Sequence, residues 1–476
     1  MSFFDYDDGY DGPGGHEDPG RRFSDMNPSE LLAAAREGSL STDTIEEIAG
    51  WYFEKGSFED ALQFLEVLAE RAPYSAEAWE RMGMTLNNLG RYEHALTAFE
   101  RAEGLNPADM ELLINKGITL DNLGDAEGAL QCFDTALSME PDNGEALFSK
   151  ALTLEHTGRY REAVTLFEHL VAQDPDHGEA WYELGYCHDF LDDLQASLRC
   201  YDRAIDLMPF NHNAWYNRGI ILNRMGAWRR AIDSYDYALA IDDDFASAWY
   251  NRGNSCASLR WFEEAVDCFL KTLEIEPDDA HAWHNLGNAY EELERYVDAV
   301  QAYSRAVTLA PHNADSLFGR ASVYESLGDF DRALGDYVTA TRLNPDLSDL
   351  WYARADVEFQ LGRIDEALTS FSNVIRLEPR NATAWIDFAE MNLEAGKYTE
   401  SALAAERAIA LGDRLPEAYF FLAQASILRR DRRKALDALD SLSAIAPDGR
   451  DSDGNPLPDL RSIRQFRWMF EEGDKQ

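Results

Sequence analysis

The hexapeptide "AWYNRG" occurs twice in the chain, at residues 214–219 and 248–253, and the near copy "AWHNLG" follows at 282–287. Neighbouring copies are 34 residues apart. Extended in both directions, this spacing holds without an insertion or deletion over twelve units, from residue 42 to residue 449. A fixed period of this length is typical of repeat proteins, in which each unit packs mainly against its neighbours.

Each unit has the pattern of two helices joined by a turn. The apolar positions 4, 8 and 11, and then 20, 24 and 27, follow helical spacing. A Gly near position 15 of most units separates the two runs, and a Pro at position 32 of ten units ends the second helix. Position 8 is always Gly or Ala, and position 24 is mostly aromatic. We therefore expect the small residue at position 8 to receive the ring at position 24.

Large aromatic residues mark position 4 of seven units: Trp79, Trp181, Trp215, Trp249, Trp283, Trp351 and Trp385. Together with the small residues at positions 8 and 20, the ring at position 24 and the Pro at position 32, this pattern resembles the tetratricopeptide repeat family. The resemblance covers 408 of the 476 residues. It implies an all-α fold, a right-handed superhelical α-solenoid of about twelve helical hairpins with capping helices. In that family the first helices line a concave face that usually takes an extended peptide.

The domain organisation follows from where the period begins and ends. We expect residues 1–26, which are rich in Gly and Asp, to form a disordered acidic tail. Residues 27–41 are predicted to form an N-terminal capping helix, residues 42–449 the twelve repeats, and residues 450–476 a linker and a C-terminal capping helix. Such ends cover the apolar face of a terminal repeat.

The charge of the chain limits its partners. There are 88 Asp and Glu residues against 43 Lys and Arg, which gives a formal net charge of -45. This charge repels phosphate backbones and anionic head groups, so we expect neither nucleic acid nor a membrane as partner. No early basic and apolar leader and no long apolar segment occurs, which favours a soluble, cytoplasmic protein. The 5 Cys residues are expected to be free, buried thiols.

A row of aromatic rings follows position 5 of the middle units: Phe148, Tyr182, Tyr216, Tyr250, His284, Phe318 and Tyr352. In one interpretation these rings are exposed and give a partner a ribbon of apolar contact area. In the other, they pack partly on the neighbouring helix and belong to the scaffold. The sequence leaves both open.

Asparagines form a second row beside the rings. Position 6 holds Asn115, Asn217, Asn251 and Asn285, and position 9 adds Asn254 and Asn288. An Asn side chain both donates and accepts, so such a row could bind the peptide groups of an extended chain. It is similar to the asparagine ladder of the O-GlcNAc transferase repeats. Asn at position 6 is also a common consensus residue in the family, so a purely structural role stays open.

The predicted groove is acidic. Positions 2, 5, 9, 12 and 13 of the twelve units hold 20 acidic residues and one basic residue, Arg224. Its most distinctive carboxylates include Asp189, Glu291, Glu292 and Glu325, with Asp121 and Glu155 in earlier units. They predict a protein or peptide partner whose extended segment carries Lys or Arg between apolar residues.

No catalytic residues, metal site or cofactor are predicted. The chain contains no phosphate-binding Gly loop, paired zinc-type Cys motif or nucleophile elbow. His281 and His284 share a helix face, but no third ligand accompanies them. We therefore expect a non-catalytic interaction scaffold and favour a monomer. The alternatives are a structural subunit that assembles with itself, and a regulatory subunit of a separately encoded enzyme.

Overall fold

A computed structural model of the protein describes residues 27–412, 415–452 and 455–460. These residues form 25 α-helices and one isolated bridge between Arg450 and Pro456. The first helix, α1 (Pro28–Glu37), precedes the repeats. The predicted acidic tail and most of the predicted closing helix lie outside the described residues.

The remaining helices alternate along the twelve repeats. The first helices of the repeats are α2 (Thr42–Glu54), α4 (Ala76–Asn88), α6 (Met110–Asn122), α8 (Gly144–His156), α10 (Gly178–Phe190), α12 (His212–Arg224), α14 (Ala246–Ser258), α16 (Ala280–Glu292), α18 (Ala314–Ser326), α20 (Ser348–Gln360), α22 (Ala382–Glu394) and α24 (Pro416–Leu428). The second helices are α3 (Phe58–Arg71), α5 (Tyr92–Leu105), α7 (Ala126–Met139), α9 (Tyr160–Gln173), α11 (Leu194–Leu207), α13 (Trp228–Ile241), α15 (Phe262–Ile275), α17 (Tyr296–Leu309), α19 (Phe330–Leu343), α21 (Ile364–Leu377), α23 (Tyr398–Leu411) and α25 (Arg432–Ile445). The predicted all-α repeat fold is confirmed.

The chain divides into two compact units, residues 1–227 and residues 228–476. The first unit contains repeats 1 to 5 and helix α12. The second contains helix α13 and repeats 7 to 12.

The ends of the helices follow local backbone chemistry. A polar residue just before most first helices caps them, as where Asn143 Oδ1 accepts from the Ala146 amide at 2.9 Å. The turn inside each hairpin needs a left-handed residue at position 15, which is Gly in eight repeats, for example Gly328 with φ 75°. Four repeats place another residue there with positive φ: Asp192, Arg260, Glu294 and Arg430.

The predicted contact between positions 8 and 24 holds the two helices of a hairpin together. A Cβ added to Gly83 would lie 2.6 Å from the Phe99 ring, and one added to Gly287 would lie 2.7 Å from the Tyr303 ring. Both rings are fully buried. A glycine is therefore required at these two positions because the ring occupies the space of a side chain.

The tryptophans at position 4 link each repeat to the one before it. Each indole N–H donates to the backbone carbonyl at position 32 of the preceding repeat. The distances are 2.9 Å from Trp283 to Pro277 and 2.9 Å from Trp249 to Asp243, where Asp replaces the usual Pro. All seven tryptophans make this hydrogen bond, at 2.8 to 3.1 Å. Their rings are only partly buried, so their role combines packing with a polar link between repeats.

Residues next to both ends of the repeat array pack against it. Leu31 and Ala35 of α1 are buried in the same apolar cluster as the first hairpin, and Arg71 donates to the Leu40 carbonyl at 2.8 Å. At the other end Leu460 is buried against the last hairpins. These contacts cover part of the apolar surface that a terminal repeat would otherwise expose.

Candidate functional site

Polar side chains line one side of the first helices. We call the row formed by positions 5, 6, 9 and 12 of these helices the polar strip. In the second unit it runs along repeats 7 to 9 and contains Tyr250, Asn251, Asn254, His284, Asn285, Asn288, Glu291, Phe318, Gly319, Ser322 and Glu325. The helices α14, α16 and α18 fix the spacing of these side chains.

The aromatic row at position 5 is mostly half-buried, which favours the second of the two interpretations, that the rings pack on a neighbouring helix. Only Tyr352 is exposed, at 41%. Six of the seven rings pack against the ring at position 24 of their own hairpin, with centroids 5.2 to 6.0 Å apart. Tyr250, for example, lies 6.0 Å from Phe269. These rings therefore contribute to packing within their hairpins and remain partly accessible to solvent.

The asparagines at position 6 bind the tyrosine of the preceding repeat. Asn217 Nδ2 donates to the Tyr182 hydroxyl at 2.9 Å, and Asn285 Nδ2 donates to the Tyr250 hydroxyl at 3.1 Å. Asn285 Nδ2 also lies 2.8 Å from Asn254 Oδ1, at position 9 of the preceding repeat. These amides link neighbouring repeats, so the Asn of "AWYNRG" at 217 and of "AWHNLG" at 285 has a structural role.

Positions 5 and 6 of neighbouring repeats are also linked in repeats 10 and 11, but there the tyrosine is the donor. In repeat 9 the row of position 6 side chains is interrupted for a steric reason. The Tyr352 hydroxyl donates to Asp387, which occupies position 6 of repeat 11. At Gly319, position 6 of repeat 9, an added Cβ would lie 2.6 Å from the Tyr303 ring. The asparagine row ends there because the Tyr303 ring fills the place of a position 6 side chain.

The Tyr303 hydroxyl reaches the polar strip from the second helix of repeat 8. It lies 2.5 Å from Asn288 Oδ1 and 2.9 Å from Glu291 Oε2. The other oxygen of Glu291 accepts from the Ser322 hydroxyl at 2.9 Å. His284 continues the network, with Nε2 3.2 Å from Asn288 Nδ2 and Nδ1 3.1 Å from the Ser316 hydroxyl. This network orients the polar groups of repeats 8 and 9.

The other predicted carboxylates also have partners within the chain. Asp189 pairs with Arg224, Glu292 lies 3.3 Å from Arg260, and the Tyr337 hydroxyl donates to Glu325 at 3.0 Å. In the first unit Asp121 lies 3.2 Å from His156 Nδ1, and the Cys187 thiol donates to Glu155 at 3.7 Å. These contacts hold the acidic side chains in place. Of the three carboxylates in repeats 8 and 9, Glu292 is exposed, whereas Glu291 and Glu325 are half-buried.

A cleft of about 780 Å³ opens on the polar strip of repeats 7 and 8. Asn254, Asn285, Asn288, Glu291 and Glu292 line it. Ala257, Arg260, Phe262, Phe269, Ala289, Glu294 and Tyr296 complete its walls. Five of the residues predicted from sequence as binding residues therefore meet in one cavity.

Several predicted residues lie outside this cleft. Asn115, Asn217, Phe148, Tyr182, Tyr216 and Asp189 belong to the first unit, and Phe318, Glu325 and Tyr352 lie further along the second. Asn115 and Asn251 are half-buried.

The first unit contains two carboxyl groups whose environment favours the protonated form. Burial, with smaller effects of Glu155 and Glu179, raises the pKa of Glu183 to about 8. Burial raises the pKa of Glu80 to about 7, with additional effects of Asp109 and Glu111. Both residues lie on first helices, so the first unit carries less negative charge at neutral pH than its sequence indicates.

The role of Tyr303 and Tyr337 in the strip was not predicted, because position 24 was assigned to the core alone. A signal exists in the sequence. In repeats 8 and 9 a Tyr at position 24 coincides with a Glu at position 12, and in both repeats the two side chains are hydrogen-bonded. The spacing of twelve residues within a repeat connects the buried ring to the polar strip.

Arginines at position 7 of several repeats form ion pairs with the second helix of the preceding repeat or of their own repeat. The ion pairs are Arg218 with Asp202, Arg252 with Asp236, and Arg320 with Asp336, each with a contact of 2.6 to 2.7 Å.

Among the described residues, no group of three or more His, Cys, Asp or Glu side chains is arranged to hold a metal ion. No helix within that same part of the chain is long and apolar enough to cross a membrane.

The repeat pattern and the hairpins agree with the family models that match the chain. Models described as "Tetratricopeptide repeat" match residues 76–109, 122–184, 154–217, 190–246, 246–279, 280–313, 318–372 and 352–416. These matches span more than half of the sequence, and the chain belongs to the tetratricopeptide repeat family. Proteins of this family are generally non-catalytic interaction scaffolds that bind protein or peptide partners.

Solved structures contain similar helical repeats. The MamA protein of Desulfovibrio magneticus RS-1 is 25% identical over 36% of this chain and 96% of its own, with a TM-score of 0.34. YrrB, described as "a TPR protein with an unusual peptide-binding site", is 24% identical over 41% and 97%, with a TM-score of 0.36. Yeast Tom70 is 16% identical over 89% and 99%, with a TM-score of 0.34. No curated protein matches the chain.

Proposed function

We propose that the protein is a non-catalytic scaffold whose polar strip binds an extended, basic segment of a partner protein. The observation that carries the proposal is the cleft on repeats 7 and 8, where Asn254, Asn285, Asn288, Glu291 and Glu292 meet. Pockets that combine a few convergent polar groups with apolar walls are typical of ligand sites.

The polar groups of the cleft suit the backbone of an extended peptide. Asn285 uses its amide nitrogen for Tyr250 and Asn254, which leaves its carbonyl oxygen to accept from a peptide N–H. Asn288 is exposed, and its amide is oriented by the Tyr303 hydroxyl and by His284. These contacts hold the amides in fixed positions, so less side-chain entropy is lost when a peptide binds.

The charge of the cleft favours a Lys or Arg residue in that peptide. Glu291 and Glu292 lie on one wall, and Arg260 is the cleft residue that opposes them with positive charge. Arg260 is paired with Glu292 at 3.3 Å, and its side chain is 78% exposed. A basic side chain of the partner can exchange for this weak surface pair. The half-buried rings of Phe262 and Tyr296 supply apolar contact beside it.

The test is selection of peptides from a random phage-displayed library on the immobilised full-length chain, followed by titration of the selected peptides. We expect sequences with Lys or Arg between apolar residues. Replacement of both acids, Glu291→Gln with Glu292→Gln, should weaken binding about tenfold, because each solvent-accessible carboxylate contributes roughly 0.2 to 1 kcal/mol.

A matched control keeps the same change in net charge. Glu263 and Glu264 are exposed at the start of α15 and lie outside the cleft. The pair Glu263→Gln with Glu264→Gln should leave the affinity unchanged. The proposal fails if acidic peptides are selected, or if the two double variants weaken binding equally.

A further inference from the structure

Two cysteines face each other inside the hairpin of repeat 7. Cys256 lies on α14 and Cys268 on α15, and both are fully buried as free thiols. Each thiol shifts the pKa of the other, as expected for two side chains in contact. The helices are close at this level, because a Cβ added to Gly253 would lie 3.1 Å from the Cβ of Cys268.

An arginine contacts one of the two sulfur atoms. Arg252 Nη1 donates to Cys268 Sγ at 2.9 Å, and Arg252 Nε donates to Asp236 at 2.6 Å. The hydrogen bond from Cys256 lowers the pKa of the Cys268 thiol, burial opposes this effect, and Arg252 lowers the pKa further. The same hydrogen bond and burial raise the pKa of Cys256. The pair is therefore asymmetric, because Arg252 contacts Cys268 alone of the two and favours its thiolate form.

The remaining cysteines have different surroundings. Cys200 occupies the same repeat position as Cys268, but burial raises its pKa to about 12. Burial also raises the pKa of Cys187, whose thiol donates to Glu155 instead of to a second cysteine. The pKa of Cys132 is raised by burial even though Lys116 lies near it. A reactive thiol needs thiolate character, and only Cys268 has a lowered pKa among these five groups.

We propose that Cys256 and Cys268 form an oxidation site that a hydroperoxide converts to a disulfide within the hairpin. In the first step the Cys268 thiolate attacks the peroxide, the O–O bond breaks, and a sulfenic acid and hydroxide form. In the second step the Cys256 thiol attacks the sulfur of the sulfenic acid and releases water. Two thiols and one hydrogen peroxide thus give one disulfide and two waters.

The location of the pair connects oxidation to the polar strip. Helix α14 carries Tyr250 and Asn254, and the residues that directly follow the two cysteines, Ala257 and Phe269, line the cleft. Both thiols are buried, so peroxide would reach them only through local opening of this cleft wall. The disulfide would tie α14 to α15 and replace the contact between Arg252 and Cys268.

The experiment treats the folded full-length chain with hydrogen peroxide and follows intact mass and peptide maps over time. We expect a loss of about 2 Da and a crosslink between the peptides of Cys256 and Cys268. In Cys256→Ser the reaction should stop at a sulfenic acid on Cys268, which dimedone traps. Arg252→Gln should slow the first step by roughly threefold or more, because it removes a cation beside the thiolate.

Cys200→Ser is the matched control, since it removes a buried thiol at the same repeat position, and the rate of crosslinking should not change. Dimedone labelling of the unaltered protein needs no variant, and it should mark Cys268 before the other four cysteines. The proposal is overturned if Cys268 is labelled no faster than Cys200, or if the crosslink joins other cysteines. It is also overturned if the crosslink forms only in denaturant.

Discussion

The side-chain amide of Asn285 donates a hydrogen bond to the hydroxyl of Tyr250, 35 residues earlier, at 3.1 Å. Asn217 and Tyr182 form the same bond in the first unit, at 2.9 Å. The tyrosine ring packs on the second helix of its own repeat, and its hydroxyl binds the first helix of the next. One side chain thus connects the packing within a hairpin to the contact between hairpins.

The variant Tyr250→Phe should lower the free energy of unfolding by about 0.5–1.5 kcal/mol, because it removes the acceptor for Asn285 while the ring contact with Phe269 stays. Urea unfolding followed by circular dichroism measures the change. Tyr74→Phe is the control, since Tyr74 is 86% exposed and its loss should have no effect. Equal stability of both variants would mean that the amide link contributes nothing.

The variant Trp249→Ala should destabilise repeat 7 locally by about 3 kcal/mol, the lower end of the range for tryptophan because the ring is half-buried. It also leaves the Asp243 carbonyl without its indole donor. Hydrogen exchange with mass spectrometry should show faster exchange in α14 and its neighbours α13 and α15, with α22 unchanged. Uniformly faster exchange in all helices would contradict a fold in which stability is a sum over neighbouring repeats.

Much of this architecture is predictable from the sequence because it depends on backbone chemistry and on a period. The Gly at position 15 and the Pro at position 32 locate the hairpins, and the small residue at position 8 predicts the ring at position 24. Gly83 and Phe99 meet as this pattern requires. These features depend only on spacing along one or two helices.

The details of the polar strip depend on the orientation of side chains between repeats, which spacing does not encode. The helical pattern places Tyr250 away from the hairpin core, yet its ring packs on Phe269 and is half-buried. The Asn residues were predicted to be groove residues, but the bond from Asn285 to Tyr250 was not, because the two belong to different repeats. Tyr303 was missed for a different reason, since a ring that is fully buried can still carry a hydroxyl that hydrogen-bonds residues of the polar strip.

The variant Glu294→Gly should stabilise the protein by about 0.5–1 kcal/mol. Glu294 has φ 57°, in the left-handed region, where a residue with a side chain is strained by roughly 1–2 kcal/mol. Substitution by Gly removes this strain, but the greater backbone entropy of Gly in the unfolded chain offsets part of the gain in stability. The reciprocal variant Gly328→Glu, at the same repeat position with φ 75°, should destabilise by a similar amount. Thermal unfolding of both measures the effect, and changes of the same sign would refute the backbone explanation.

The stability of the first unit should fall as the pH rises from about 5 to about 8. The pKa of Glu183 in the folded protein is about 8, above the value of roughly 4.3 for an unfolded glutamate. The folded state therefore binds the proton of the Glu183 carboxyl more tightly than the unfolded state does. Its contribution to stability is fully present at a pH below the unfolded pKa and is lost as the pH rises through the folded pKa of about 8.

The variant Glu183→Gln should flatten this decline, measured as the melting temperature at a series of pH values. Glu162→Gln is the control, because hydrogen bonding to Arg159 lowers the pKa of Glu162 and the decline should remain. A slope that is unchanged in Glu183→Gln would show that another group titrates.

The melting temperature should rise when the salt concentration increases from about 0.05 M to about 1 M, because the Debye length shortens from roughly 14 Å to roughly 3 Å. A net charge of -45 gives the folded chain strong self-repulsion, and salt screens repulsion between exposed carboxylates more than it weakens half-buried ion pairs such as Arg320 with Asp336. Differential scanning calorimetry in sodium chloride measures the shift. A melting temperature that stays constant or falls would show that the ion pairs between helices outweigh the repulsion, and that the acidity of the chain does not limit its stability.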